Sequence, residues 1–416
     1  MKDDLAARLR RLGLAKGPGA LRPPEDRRPA KRVENLLRGE LYAAGDRACF
    51  VVEESFPLDT QHGGRSLGAL LDQSIEVAAT LAQDPALARL RFSDLLFIDT
   101  ETTGLSGGTG TLVFLVGIGY FEGERFLVTQ YFLRSPADEP AMLAALGADV
   151  ARRPGLVSFN GRSFDIPLLE TRYILNRQRP PFIRTSHLDL LPPARRLWRD
   201  SLDSCSLGSL EGSVLGVRRD QADVPGGLIP VIYRDYLRSG NAIEMPRIFY
   251  HNQIDVLSMV VLAAHLCSAF GRPEGELQRG QEWFSLARWY EQSGMIREAE
   301  GAYRSAIDAD LPAEVYRGAL QRLGLLLKRS ERRAEAEIVW QQLASVELDD
   351  VHGHIELAKY HEWHTGELEQ AAEWTRQALV LVEHWPRGLQ KLVTPELHHR
   401  LNRLETKLER RSTSTG

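Results

Sequence analysis

The apolar run Leu95-Leu96-Phe97-Ile98 ends in Asp99-Thr100-Glu101, two acids separated by one residue. Side chains alternate across a strand, so Asp99 and Glu101 project to the same side. Two such charges ~4 Å apart repel by roughly 4 kcal/mol at an effective dielectric of ~20. A divalent cation held by carboxylate oxygens removes that repulsion. The plain alternative is a polar strand exit into the Thr102-Thr103-Gly104 turn. Two further segments carry acids. In Asn160-Gly161-Arg162-Ser163-Phe164-Asp165, Ser163 reads as an N-cap, which places Asp165 in a first helical turn near the positive end of the dipole. An acid also belongs there for helical reasons alone. In Tyr250-His251-Asn252-Gln253-Ile254-Asp255, inside an apolar helix, His251 and Asp255 are four apart and share one face. Such a pair is also what a structural hydrogen bond looks like.

The elements that must position these residues are mixed α/β. Strands are expected at Leu95 to Asp99, Leu112 to Phe121 and Phe126 to Leu133, joined by turns at Gly107-Gly108 and Glu122-Gly123 into an antiparallel meander. A helix from Glu139 leads to a short strand, Leu156 to Phe159. Helices follow near Phe164 to Asn176, Leu207 to Leu215, Ile229 to Leu237 and Arg247 to Leu266. Cys49 to Glu53 reads as a short strand and His62-Gly63-Gly64 as a turn. The Gly-rich stretch from Gly104 to Gly110 lacks the Gly-Lys-Ser/Thr ending of a phosphate-cradling loop and reads as a hairpin turn. Asp189, in His187-Leu188-Asp189-Leu190, is either an auxiliary acid or a helix cap.

The order Asp-x-Glu on a strand, Asn-x4-Asp at a helix start, then an aromatic or His shortly before a last Asp resembles the DEDD exonucleases of the ribonuclease H-like superfamily. The segments FIDTETTGL, FNGRSFD and HNQIDVLS carry that resemblance, over roughly residues 90 to 270. SHLDLLPPARRLW and CSLGSLEGSVLG resemble, more narrowly, the bacterial YprB-like branch. The resemblance implies a metal-dependent 3′→5′ exonuclease acting on single-stranded DNA or RNA. It implies two divalent ions, Mg²⁺ or Mn²⁺, held by Asp99, Glu101, Asp165 and Asp255, with His251 orienting or deprotonating the attacking water. It gives Thr102, Thr103, Asn160 and Phe164 contacts to the terminal nucleotide, although Thr102 and Thr103 also suit a turn and Phe164 a core. One departure stands out. The family places Tyr four residues before the last Asp or His five before it, whereas this chain has His251 at four and Tyr250 at five. His251 is assigned as the base because the i,i+4 offset keeps it beside Asp255.

After about residue 280 the pattern becomes a helical repeat. Leu286, Ala287, Gly294 and Ala299 are echoed 37 residues later by Leu323, Gly324 and Ala336, and after 34 more by Leu357 and Ala358. A period near 34 residues is that of tetratricopeptide (TPR) units, whose stacked pairs bind peptides. The expected organisation is a flexible basic arm (1–35), an N-terminal extension (36–89), an α/β ribonuclease H-like domain with a mixed sheet flanked by helices (90–272), and an all-α TPR-like repeat domain (280–408).

Composition sets the remaining bounds. The 416 residues are 43% hydrophobic and 26% charged, as in a globular protein. No eighteen consecutive residues are apolar, so no membrane span is expected. Cys49, Cys205 and Cys267 are scattered, which argues against a structural zinc and fits a reducing cytoplasm. The net charge is −4, yet the first forty residues hold eleven Lys/Arg against six Asp/Glu. Single-stranded nucleic acid is the expected partner, with a protein partner possible on the repeats. Two competing readings are an internally cutting nuclease and a TPR scaffold with a catalytically weak nucleic-acid-binding domain.

Overall fold

The computed structural model describes residues 31–104, 110–183, 185–220, 223–346 and 349–414. The basic arm up to residue 30 and the Gly107-Gly108 turn lie outside the described residues. The rest of the arm is anchored: Val33 is buried in a short 3₁₀ turn, and Glu34 pairs with Arg134 at 2.7 Å.

Seven strands form one mixed sheet. They are β1 (Glu40–Ala44), β2 (Arg47–Pro57), β3 (Leu95–Thr102), β4 (Val113–Glu122), β5 (Arg125–Phe132), β6 (Gly155–Ser158) and β7 (Ser186–Asp189). Their order across the sheet is β1-β2-β5-β4-β3-β6-β7. The meander β3-β4-β5 is antiparallel, and β6 and β7 continue parallel to β3. The segment read as an N-terminal extension supplies β1 and β2, which pair along β5. The edge strand β7 has no counterpart in the sequence reading. It is four residues long and carries buried polar side chains, His187 and Asp189, so it has no apolar run to announce it. His187 is satisfied by Ser158 at 2.7 Å.

Six helices belong to this part: α1 (Ile75–Ala82), α2 (Glu139–Val150), α3 (Asp165–Leu175), α4 (Leu191–Trp198), α5 (Ile229–Ser239) and α6 (Met245–Gly271). Leu207–Leu210 is a short turn of helix that runs into a π turn over Glu211–Leu215. Phe97 of β3 packs with Val256, Val260 and Trp198 on one face of the sheet, whereas Leu96 and Ile98 pack with Leu143, Leu169 and Phe249 on the other. By length and composition α6 could cross a membrane, but most of its apolar window is buried in the protein. His62 is not a bare turn residue, because its imidazole meets Ser258 of α6 at 2.8 Å.

The seat of α6 fixes the rest. Asp99, Gly117 and Gln130 are register partners on β3, β4 and β5, side by side on one face of the sheet. A Cβ at Gly117 would fall on the Asn252 side chain, and one at Gly119 would meet Val256 and Phe126. Two glycines in a central strand therefore mark close backbone approach. Asn252 sits over Gly117, accepts a hydrogen bond from Gln130 Nε2 at 2.8 Å and donates one to Asp99 Oδ2 at 2.8 Å. Gln130 also donates to the Phe249 carbonyl. A polar residue with no exposed surface is thus fully satisfied.

The C-terminal part is all helical: α7 (Gly280–Gln292), α8 (Ile296–Asp308), α9 (Ala313–Arg329), α10 (Arg333–Val346), α11 (His352–Tyr360), α12 (Leu368–Glu383) and α13 (Arg387–Ser414). Consecutive helices pair, and the small residues Ala287, Gly324 and Ala358 are buried at matching places. Gly294, Glu331 and Gly366 take left-handed backbone at the three intra-pair turns. The third pair is looser because a π turn, His361–Thr365, separates its helices. Glu362 in that turn binds Arg403 and Lys407 at 2.7 Å, tying α13 down.

Gly117→Ala should force α6 off the sheet and lower stability by roughly 1–3 kcal/mol. Gly208→Ala, where an added methyl meets nothing within 4 Å, should stay within about 0.5 kcal/mol of wild type. Urea unfolding of the two variants checks this; equal midpoints would contradict it.

Candidate active site

β3 delivers Asp99 and Glu101 to the face that α6 covers, and α6 brings His251 and Asp255 onto them. Ligand atoms of Glu101, His251 and Asp255 all lie within 4.8 Å of one another. Asp99 lies beside them, its carboxylate pinned by Asn252. The fourth acid, Asp165, is the first residue of α3 and is 6% exposed. It accepts a hydrogen bond from the Thr100 hydroxyl and stands outside the closest trio. Its charge still acts on Asp99 and Glu101.

The electrostatics record this crowding. Burial, then the charges of Asp255, Glu101 and Asp165, push the Asp99 carboxyl well above its usual range. Burial, with Asp255 and Asp165, does the same to Glu101. Asp165 is raised to about 6, chiefly by burial, against the pull of Thr100 and a backbone N–H. Asp255 is raised by burial, although Arg219 and His251 oppose the shift. These oxygens share one recess and are short of positive charge. The donor set, carboxylates with one imidazole, fits a hard divalent cation.

The residues that sequence reasoning missed form the wall beyond Asp255. Arg219 holds Glu211 through two contacts at 2.7 Å and reaches Asp255. Its Nη1 lies 3.0 Å from His251 Nδ1, and Asp223 Oδ1 lies 2.7 Å from the same nitrogen. The carboxylate accepts from a protonated Nδ1 and the guanidinium donates to a bare one, so the two partners favour opposite tautomers of the ring. The ring's Nε2 lies 3.5 Å from Asp255 Oδ2. The Tyr250 hydroxyl instead meets the Asp220 N–H at 3.4 Å, away from the acids. A cavity of about 350 Å³ opens on His251 and Asp255, walled by Arg219, Glu211 and Asp223. Glu211 and Arg219 lie in or next to a segment already singled out as a motif, but nothing in their spacing ties them to Asp255. Asn252 left a signal, as a polar residue on the buried face of an apolar helix.

The remaining expected residues neighbour the acids in sequence and stand outside the closest trio. Asn160 is exposed and has left-handed backbone, φ 65°. Phe164 is half-buried and occupies the N-cap position of α3, so Ser163 does not cap that helix. Asp189, at the end of β7, holds the turn that precedes that helix. Its carboxylate accepts the backbone N–H groups of Asn160 at 2.7 Å, Arg162 at 3.1 Å and Leu191 at 3.1 Å. Asp189 therefore holds the turn that presents Asp165. The Thr102 hydroxyl donates to the Gly104 carbonyl at 2.8 Å. Thr103 exchanges both its N–H and its hydroxyl with Leu112 and closes the strand end, so its N–H is not available to a nucleotide.

With this geometry in hand, comparison with known proteins is direct. The RNase H superfamily pattern matches residues 96–267, from β3 into α6. The chain is 31% identical over 375 residues to an uncharacterised protein, YprB, of Bacillus subtilis (strain 168), an alignment covering 87% of each chain. It belongs to the YprB family, and its α/β part is an RNase H superfamily domain. Among solved structures, the family B DNA polymerase of the hyperthermophilic archaeon Pyrobaculum calidifontis aligns with 48% of this chain at 16% identity and a TM-score of 0.32. The aligned part is 29% of that polymerase, and a likeness this weak carries no argument.

The raised carboxyls predict an unusual pH dependence. An acid whose folded pKa exceeds its unfolded one binds more protons when folded, so stability falls as pH rises through that window. For Asp165, raised from 3.8 to about 6, the loss approaches ~3 kcal/mol at full ionisation. Without divalent cations, Asp165→Asn should therefore gain progressively in melting temperature over wild type as pH rises from ~4 to ~6, and keep that gain above it. Mn²⁺ should erase that advantage. A constant difference across the window would contradict the reading.

Proposed function

We propose that this protein is a metal-dependent 3′→5′ exonuclease that hydrolyses single-stranded DNA or RNA from the free end. One observation carries the reading: acids from β3 and α6, distant in sequence, meet His251 in one recess beside a cavity of about 350 Å³. That volume suits a small ligand such as a terminal nucleotide. Asp99, Glu101 and Asp255, with Asp165 next to them, would hold two divalent cations, Mg²⁺ or Mn²⁺. When bound, such ions acidify water and offset the negative charge on the leaving oxygen.

The chain's own groups do the rest. His251 Nε2 takes the proton of the attacking water, with the ring held by Asp223 on its other nitrogen. As the water oxygen bonds to phosphorus, the bond to the 3′ oxygen breaks; that oxygen takes a proton from solvent water to leave as a hydroxyl, and His251 returns its proton to solvent. Asn252 keeps Asp99 aimed, and Asp189 keeps the Asp165 turn in place. Asn160, Phe164 and Thr102, with the turn that Thr103 closes, border the path of the last nucleotide. We assign the helical pairs, which follow TPR-like spacing, to holding a protein partner or extending the strand's path.

The test is a time course on 3′- and 5′-labelled single strands with Mg²⁺ or Mn²⁺. Stepwise loss from the 3′ end is expected, and a blocked 3′ end should stop it. Asp99→Ala should reduce the rate by at least ~100-fold. His251→Phe should cost about 10²–10⁴-fold, and Tyr250→Phe only a few-fold. Internal cuts on a 3′-blocked strand would instead favour an endonuclease, and intact strands under all conditions would overturn the reading.

A further inference from the structure

An arginine-lined cleft lies between α4 of the sheet domain and α7 of the first helical pair. α4 buries Leu191, Ala194, Leu197 and Trp198, and Trp198 stacks on His265 of α6 at 5.6 Å between ring centres. The opposite side of the helix and its exit carry Arg195, Arg196 and Arg199. These do not face open water alone. Arg288 and Trp289 of α7 close over them to form a cleft of about 600 Å³. A second hollow of about 360 Å³ shares Arg195 and Arg199 and continues it toward Ser204.

The charge of this cleft is unbalanced. Four arginines meet two acids, Asp200 in the cleft and Asp203 in its continuation, in a chain whose net charge is −4. Other arginines of the fold are closely paired, as Arg172 is with Glu139 at 2.5 Å and Arg403 with Glu362 at 2.7 Å. Neither Arg195 nor Arg199 has a carboxylate partner among the described residues. Arg288 reaches Asp200 only at 3.7 Å, and its Nε is buried without a partner. The Arg196 guanidinium lies 5.2 Å over the Trp289 ring and donates to Gln292 at 3.0 Å, which holds it flat against the wall. A merely solvated helix face would not be roofed by a second helix.

We propose that this cleft binds the phosphodiester backbone of the nucleic-acid strand whose end is cut; the inference rests on the nuclease reading above. Guanidinium groups suit phosphate oxygens, and a row of them suits a polymer with evenly spaced charge. Placement supports it. α4 starts two residues after Asp189, which holds the turn of Asp165. At ~1.5 Å per residue, Arg195 and Arg199 lie roughly 9–15 Å along the helix from Asp189. With phosphates ~3.4 Å apart on a stacked strand, that reach is about three to five nucleotides. The cleft therefore acts on strands longer than this and is idle for shorter ones.

The test uses the full chain. Fluorescence anisotropy with labelled oligothymidylates of twenty and of two nucleotides is measured in an Asp99→Ala background, with and without Arg195→Ala and Arg199→Ala together. Both arginines are exposed, so melting curves should match, and a double Arg→Lys variant should bind nearly as the parent does. Removing the pair should weaken twenty-nucleotide binding roughly tenfold near ~0.15 M salt and lower the salt slope by about 1.4, at ~0.7 per phosphate contact. Two-nucleotide binding should not change. In Asp99-intact protein, hydrolysis of thymidine 5′-(p-nitrophenyl phosphate) should proceed equally with and without the pair. If that ester and all strands stay uncut while the arginines still govern twenty-nucleotide binding, the cleft stands and the nuclease reading falls. If cutting proceeds but the variant binds the long strand with unchanged affinity and slope, or if a polyglutamate peptide binds the cleft more tightly than the strand, the proposal is overturned.

Discussion

Everything at the site depends on how closely one helix approaches one strand. Asp99, Gly117 and Gln130 form a row across three strands, and the middle member has no side chain. Into that gap Asn252 descends, bonded on both sides. A methyl group at Gly117 would lift α6, and with it His251 and Asp255, away from Asp99 and Glu101. Packing at a single missing Cβ thus sets the distance between carboxylates that are over 150 positions apart in the chain. Because Asn252 is fully buried, either bond left unmade would cost about 1–3 kcal/mol, so the helix has one favoured seat.

The second constraint is charge. Arg219 pairs with Glu211, Asp223 and Asp255 and its charge acts on Glu101, while Asp99 and Asp165 add to the negative charge beside them. Arg219 satisfies Glu211 fully and Asp255 in part, which leaves the β3 acids facing one another. The raised carboxyls are the physical expression of that shortage. The sheet domain carries this strain on a well-packed body, with cores on both faces of the sheet and the helical pairs continuing one of them. The arginine-rich cleft between α4 and α7 puts the opposite charge a helix length away. A polyanion running from the cleft to the recess would meet positive charge along its length and a cation-seeking site at its end.

Much of this was legible in the sequence, for identifiable reasons. The meander, α2, α3 and α6 announce themselves by apolar runs and turn residues, and the paired acids on β3 by strand alternation. His251 and Asp255 follow from the helical offset. The helical pairs were visible as recurring small residues, Ala287, Gly324 and Ala358. What escaped notice depended on contacts across the fold. β7 is short and polar, β1 pairs only with β2, and the place of β2, itself read as a strand at Cys49 to Glu53, is set by its pairing with the distant β5. Asp189 meets the first N–H of its own helix, at Leu191, but its hold on the Asn160–Arg162 turn lies across the fold. Arg219 and Asp223 reach the site through an irregular segment with no periodicity. Gly117 and Gly119 did leave a trace, because two glycines inside an apolar strand imply a close neighbour, but the neighbour's identity lies 135 positions away at Asn252.

The most direct measurement is anomalous scattering from crystals of the full chain soaked in Mn²⁺. The account predicts manganese peaks within coordination distance of Glu101, Asp255 and Asp99, with the Arg219 guanidinium still holding Glu211. An empty recess at saturating Mn²⁺, or manganese bound only elsewhere on the surface, would contradict it.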